Sequence, residues 1–158
     1  MEILFYLQEY LSDKPAGPLL NDGIFSPCGN ILPKLVVEQV EDIKVLRVAN
    51  RAQGDAGIEI DLAAACEINK GDRVVAVGRI KLAHTLHSLG VVLFDAKDQE
   101  NELARHQHYS NLFAFSYLHD SSSSVCISTA NCEQASASLD FYLDGLLVIR
   151  NNEERGWV

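Results

Sequence analysis

The sequence predicts an all-β fold, an antiparallel β-sandwich of jelly-roll type with a short N-terminal helix or extension. Three observations predict it. Short runs rich in Val, Ile, Leu and Phe recur along the chain. Turn clusters separate them: Gln53-Gly54-Asp55, Asn69-Lys70-Gly71-Asp72, and His119-Asp120 followed by Ser121 to Ser124. Within the runs, apolar and polar residues alternate with the two-residue period of a strand that buries one face.

Taken in order, Leu4, Leu7 and Leu11 share one helical face with Ile3 and Tyr10 beside it, which predicts a short amphipathic helix, with an edge strand as the alternative. Ser12 to Pro18 holds two prolines and a glycine and reads as a loop. Residues 1–18 are therefore expected as an N-terminal segment and linker, 19–150 as the sandwich and 151–158 as a C-terminal tail. The candidate strands are Lys34 to Val40, Ile43 to Asn50, Gly57 to Leu62, Arg73 to Leu82, Leu89 to Ala96, Leu112 to Leu118, Val125 to Ala130 and Leu139 to Ile149. No convincing helix lies between them, and this spacing points to two packed antiparallel sheets. Alternation puts Val74, Ala76, Gly78, Ile80 and Leu82 on one face, and Val75, Val77, Arg79 and Lys81 on the other. Likewise Leu46 and Val48 are expected inside, with Arg47, Ala49 and Arg51 outside.

At 158 residues and 47% hydrophobic, the chain can bury a sizeable core without metal or disulfide staples. Its 13 Lys and Arg against 22 Asp and Glu give a net charge of -9, which opposes phosphate backbones and anionic lipid surfaces. Nucleic acid and membrane are accordingly not expected as partners. Apolar runs such as Leu89 to Phe94 fall well short of the roughly 18 residues that span a bilayer. The first residues, Met1-Glu2-Ile3-Leu4, lack the basic start of a signal peptide, so the chain is expected either to work inside the cell or to be a module excised from a longer precursor. Cys28, Cys66, Cys126 and Cys132 form no CxxC. A hairpin disulfide between Cys126 and Cys132 and buried free thiols remain alternatives.

His106-Gln107-His108 has metal-ligand spacing on a strand, and His84 and His87 lie nearby in sequence, but Tyr109-Ser110-Asn111-Leu112 follows where a cupin-type site would place a further ligand. Ser121 to Ser124 lie beside His119 and Asp120 without a nucleophile elbow. Asp140 and Asp144 make a carboxylate pair with no second acid evident across a cleft. No phosphate-binding glycine loop occurs, and no enzyme motif stands. Phe113, Phe115 and Tyr117 form a one-face stripe of the kind cores use. Tyr109, Tyr117 and Tyr142 combine a stacking face with a hydroxyl, as a sugar ring with apolar C–H faces and polar edges requires. Arg47, Arg51, Arg79 and Lys81 would supply donors if they share an open sheet face.

Four segments in this order, Leu46-Arg47-Val48-Ala49-Asn50-Arg51, Gly57-Ile58-Glu59-Ile60-Asp61-Leu62, Lys70-Gly71-Asp72-Arg73-Val74-Val75-Ala76-Val77 and Leu139-Asp140-Phe141-Tyr142-Leu143-Asp144-Gly145-Leu146, resemble carbohydrate-binding modules of the family 4, 9 and 22 type. The resemblance runs from about Leu20 to Arg150. It implies a non-catalytic β-sandwich that binds a β-linked plant polysaccharide, xylan or β-glucan, as an accessory module of a secreted, extracellular glycoside hydrolase. Arg51, Arg79, Tyr109, Tyr117 and Tyr142 are the residues expected to bind carbohydrate. The resemblance also implies one structural calcium, with Asp22 and Asp144 as its oxygen ligands. The tryptophan such modules usually carry shortly after the Asn-Arg pair is absent, since the single tryptophan is Trp157. Two rival expectations are an intracellular protein-interaction module that docks through Met1 to Leu11, and a cupin-like metal-dependent enzyme using His106 and His108.

Overall fold

The structure, a computed structural model, describes residues 1–80, 91–106, 112–129 and 140–151. It is a sandwich of two antiparallel sheets. The elements run β1 (Glu2–Tyr6), α1 (Leu7–Leu11), β2 (Gly17–Pro18), β3 (Phe25–Cys28), β4 (Lys34–Val40), β5 (Ile43–Ala49), β6 (Gly57–Asp61), α2 (Leu62–Ala65), β7 (Arg73–Ile80), β8 (Val91–Asp95), β9 (Asp98–His106), β10 (Leu112–Leu118), β11 (Ser124–Ser128) and β12 (Phe141–Arg150). A seven-stranded sheet has the order β10-β7-β12-β5-β4-β2, with β1 also paired to β12; a five-stranded sheet has the order β3-β6-β11-β8-β9.

Every expected strand is present to within a few residues over the described part of the chain. The unforeseen strands have a common cause. β2, β3 and β9 are sheet edges. Edge strands carry the residues that discourage further pairing, and these do: Gly17-Pro18 in β2, Pro27 in β3, and the polar run Asp98-Gln99-Glu100-Asn101-Glu102 in β9. Composition therefore hides them from any pattern built on apolar alternation.

The core lies between the sheets. Leu46 and Val48 of β5, Val74, Ala76 and Ile80 of β7, Phe113 and Phe115 of β10 and Phe141, Leu143 and Val148 of β12 meet Phe25, Ile58, Ile60, Leu93, Val125 and Ile127 from the opposite sheet. The alternation read from the sequence assigns β5 and β7 to the correct faces. Gly78 faces inward where a Cβ would lie 2.1 Å from the Tyr142 carbonyl oxygen and 2.2 Å from the Phe113 ring, so only glycine admits the phenylalanine.

Residues 1–18 correct the expectation of a segment and linker outside the sandwich. The start of the chain is both a strand and a helix: β1 pairs with the C-terminal half of β12, and α1 follows at once. Leu7 and Leu11 are fully buried in the core, and Phe5 packs against Tyr10 and Phe25. β5 pairs with Phe141 to Leu143 of β12, whereas β1 pairs with Leu147 to Arg150. Where the two part, Gln8 of α1 donates to the Asp144 carbonyl oxygen. The helix thus closes a gap in the sheet, which is why its apolar face is covered from within and is not available to dock a partner.

Candidate functional site

β12 runs through the middle of the seven-stranded sheet, and its bulge between Leu143 and Gly145 leaves Tyr142 and Asp144 on the outer face. The register places Tyr142 opposite Arg47 of β5 on one side and opposite Arg79 of β7 on the other. One row across the sheet therefore reads Val36, Arg47, Tyr142, Arg79, Leu112. Each arginine reaches diagonally to an aspartate on β12 or just before it, and in opposite directions. Arg47 Nη2 donates to Asp140 Oδ2 at 2.9 Å, and Arg79 donates to both Asp144 oxygens at 2.8 and 2.9 Å. These partners hold both guanidinium groups above their ordinary pKa. The Arg79 guanidinium also lies over the Tyr142 ring, 4.4 Å from its centroid.

Burial, together with the nearby Glu38 carboxylate, pushes the Tyr142 phenol up. Arg47 Nε and Glu38 Oε2 are buried at this face and have no hydrogen-bond partner among the described residues. One is a donor and the other an acceptor, on adjacent strands beside one tyrosine. Across β12 from them, along β7 and β10, is a shallow, mostly apolar depression of about 490 Å³ whose lining includes Val77, Leu112, Ala114, His106 and Asp144. The face can therefore offer polar groups on one side of Tyr142 and an apolar floor on the other. Asp140 and Asp144 are each bound to an arginine, which excludes them as a free acid and base pair.

The expected binding residues divide. Arg79 and Tyr142 meet on this face. Arg51 does not, and is corrected: it is 1% exposed and inside the fold. The strand ends at Ala49, and Asn50 takes a left-handed conformation (φ 58°), which breaks the alternation and turns the next side chain inward. There Arg51 Nε donates to the Ala56 carbonyl at 2.7 Å, Nη2 donates to the Gly54 carbonyl and to Thr129 Oγ1, and the guanidinium lies 5.2 Å from the Phe141 ring centroid. Its role is to fix the loop after β5.

Tyr117 is likewise corrected as a binding platform. It continues the inward stripe of Phe113 and Phe115 and packs against the core. Burial raises its phenol pKa, and its hydroxyl has no partner among the described residues. Tyr109 lies outside the described residues, as do His84, His87, His108 and Cys132. Cys28, Cys66 and Cys126 are free thiols. Arg47 was legible among the arginines of β5. Glu38 and Asp140 were missed as members of this face, because neither has a pattern of its own until the register puts it beside Tyr142.

The two expected calcium ligands do not fit that metal. Both Asp22 oxygens accept from the Tyr10 hydroxyl at 2.8 Å, Oδ2 also accepts from the backbone N–H groups of Ile24 and Phe25, and Lys14 Nζ stands 3.4 Å from Oδ1. Asp144 is held by Arg79. Their lone pairs face donors, where a calcium ion would require them free. Among the described residues, no group of three or more His, Cys, Asp or Glu side chains is arranged to hold a metal ion.

This architecture defines the class, a β-sandwich module with polar and aromatic side chains on one sheet face. More particularly, the fold is that of the family 22 carbohydrate-binding modules. The family 22 module of Clostridium thermocellum endo-1,4-β-D-xylanase 10B, in a structure of that module with a family 10 glycoside hydrolase module and xylohexaose, superposes with a TM-score of 0.58 at 12% identity over 81% of this chain and 26% of that one. The second family 22 xylan-binding domain of Paenibacillus barcinonensis xylanase 10C gives 0.53 at 13%, over 83% and 94%. The C-terminal family 22 module of the Clostridium enzyme gives 0.52 at 11%, over 88% and 94%. The chain spans about a quarter of the first of these and nearly all of the other two. At such identities the likeness is one of fold. No protein-family model matches the sequence, and no curated protein matches it.

Proposed function

We propose that the protein is a non-catalytic carbohydrate-binding module that holds a β-linked polysaccharide, xylan in the first instance, on the outer face of the seven-stranded sheet. The observation that carries this is the row Arg47, Tyr142, Arg79, with Arg47 Nε and Glu38 Oε2 unpaired among the described residues on one side of Tyr142 and an apolar depression on the other. A sugar chain presents hydroxyls that donate and accept, and C–H faces that prefer an apolar floor; this face complements both. Its arginines are already locked by aspartates, so little ordering entropy is lost on binding. That its structural neighbours include xylan-binding domains supports xylan over other glycans. We place the module beside a glycoside hydrolase in a secreted protein, an arrangement like that of the Clostridium xylanase.

Affinity electrophoresis of the folded chain through gels containing xylan, mixed-linkage β-glucan, xyloglucan, glucomannan or no polymer tests this. Retardation by xylan, weakened about ten-fold by Tyr142→Ala, is the expected result. Unchanged mobility in every gel would overturn it.

A further inference from the structure

The opposite surface of the sandwich, the outer face of the five-stranded sheet, holds a second and more enclosed cavity of about 300 Å³. Its floor follows from the register. Glu59 of β6 stands opposite Cys126 of β11, which stands opposite Phe94 of β8, and Ser128 stands opposite Val92 in the next outward-facing row. Val92, Phe94 and Cys126 form a small apolar cluster of their own, separate from the main core. Asp55, Glu102 and Arg105 complete the part of the wall that carries charge.

Two groups in this cavity point to a ligand. Ser128 is fully buried, lines the cavity, and its hydroxyl has no hydrogen-bond partner among the described residues. A buried hydroxyl left unpaired is costly, and a ligand that bonds to it recovers that cost. Gly57 lets β6 and β11 approach closely here, since a Cβ there would lie 2.0 Å from the Ile127 carbonyl oxygen. The second group is Glu59. Asp55 accepts from the Asn30 N–H, and Glu102 is taken by Arg105, whereas among the described residues the Glu59 carboxylate meets only the weakly donating Cys126 thiol at 4.0 Å. Hydrogen bonding to Cys28 and burial raise the Cys126 pKa, so that thiol stays neutral and acts as part of the apolar wall.

We propose that this cavity is a second binding site, which takes a single neutral sugar ring. The volume sits at the lower end of the roughly 300–1,000 Å³ of small-molecule sites, enough for one ring and too little for a run of polymer. Val92 and Phe94 meet a C–H face, Glu59 accepts from ring hydroxyls, and Ser128 bonds to another. Three carboxylates against one guanidinium disfavour an anionic sugar. The choice of ligand class rests on the carbohydrate reading above; the position of the site does not.

The test is an NMR titration of the full ¹⁵N-labelled chain with D-xylose, D-glucose and D-glucuronate. Neutral sugars should shift the amides of Glu59, Phe94, Cys126 and Ser128 saturably, with Tyr142→Ala without effect. Glu59→Gln and Ser128→Ala should each weaken this binding about ten-fold or more while leaving the Tm at or above the wild-type value. Absence of those shifts up to roughly 0.1 M sugar, abolition by Tyr142→Ala but not by Glu59→Gln, or D-glucuronate binding as well as D-glucose would overturn the proposal. Loss of xylan retention with the monosaccharide shifts intact would sink the first face and leave this one standing.

Discussion

Arg79 and Asp144 form a two-pronged ion pair across adjacent strands, 2.8 and 2.9 Å long, and the same guanidinium covers the ring of Tyr142. The aspartate fixes the arginine and the arginine fixes the tyrosine, so the central side chain of the candidate face is held before any ligand arrives.

Tyr142→Ala should weaken polysaccharide retention by about ten-fold, some 1–2 kcal/mol, because it removes both the aromatic contact and the surface on which Arg79 rests. Tyr142 is half-buried on the outer face, so the Tm should fall by only a few degrees, about what a surface substitution costs. Affinity electrophoresis and a melting curve on the same sample check this. Unfolding in place of lost binding would make the residue part of the core.

Arg51→Ala should destabilise the fold by about 3 kcal/mol or more, since it takes the guanidinium donor from the Ala56 carbonyl, removes one bond each from the Gly54 carbonyl and the Thr129 hydroxyl, and empties a fully buried site. Arg51→Lys should restore little, because an ammonium cannot present the same fork of donors. Urea denaturation measures both. A near-neutral Arg51→Ala with weakened glycan binding would return Arg51 to the ligand face.

Tyr117→Phe should be neutral or stabilising by about 0.5–1 kcal/mol and should leave polysaccharide retention unchanged, because it deletes a buried hydroxyl that has no partner among the described residues. Lost retention in this variant would restore Tyr117 as a binding residue.

Acid stability should depend on Asp22. Burial works to raise its pKa, but the N–H groups of Phe25 and Ile24, the Tyr10 hydroxyl and Lys14 outweigh it and hold the carboxyl below its ordinary value. A depressed folded pKa gives stability that is fully present above the unfolded value, about 3.9, and is lost as the pH falls from there through the folded value. Asp22→Asn should lower stability at neutral pH and flatten the loss on acidification below about pH 4, read from urea midpoints across that range. EDTA should leave the wild-type midpoint where it is; a drop reversed by calcium would reinstate the metal.

Leu11→Ala should cost about 2–5 kcal/mol, the range for a fully buried leucine. An extension loosely attached to the sandwich would show almost no change, so a urea titration separates the two.

The alternation of Leu46 and Val48 against Arg47, and of Val74, Ala76 and Ile80 against Arg79, determined by sequence alone that these strands have one buried and one open face, because a strand's side chains alternate whatever its partners. The turn clusters and the order of segments determined a sandwich in the same way. What the sequence could not hold was which strands lie side by side. Glu38 and Arg47 lie on one hairpin, Arg79 and Tyr142 on strands far from it and from each other in the chain, and only hydrogen-bonded register aligns the four. Nor could it show that Asn50 would turn Arg51 inward, that α1 would fill the gap between β1 and β5, or that Ser128 would be buried without a partner among the described residues. Each depends on the local break of a regular pattern or on a contact made across the fold, and both are properties of packing that no one-dimensional period records.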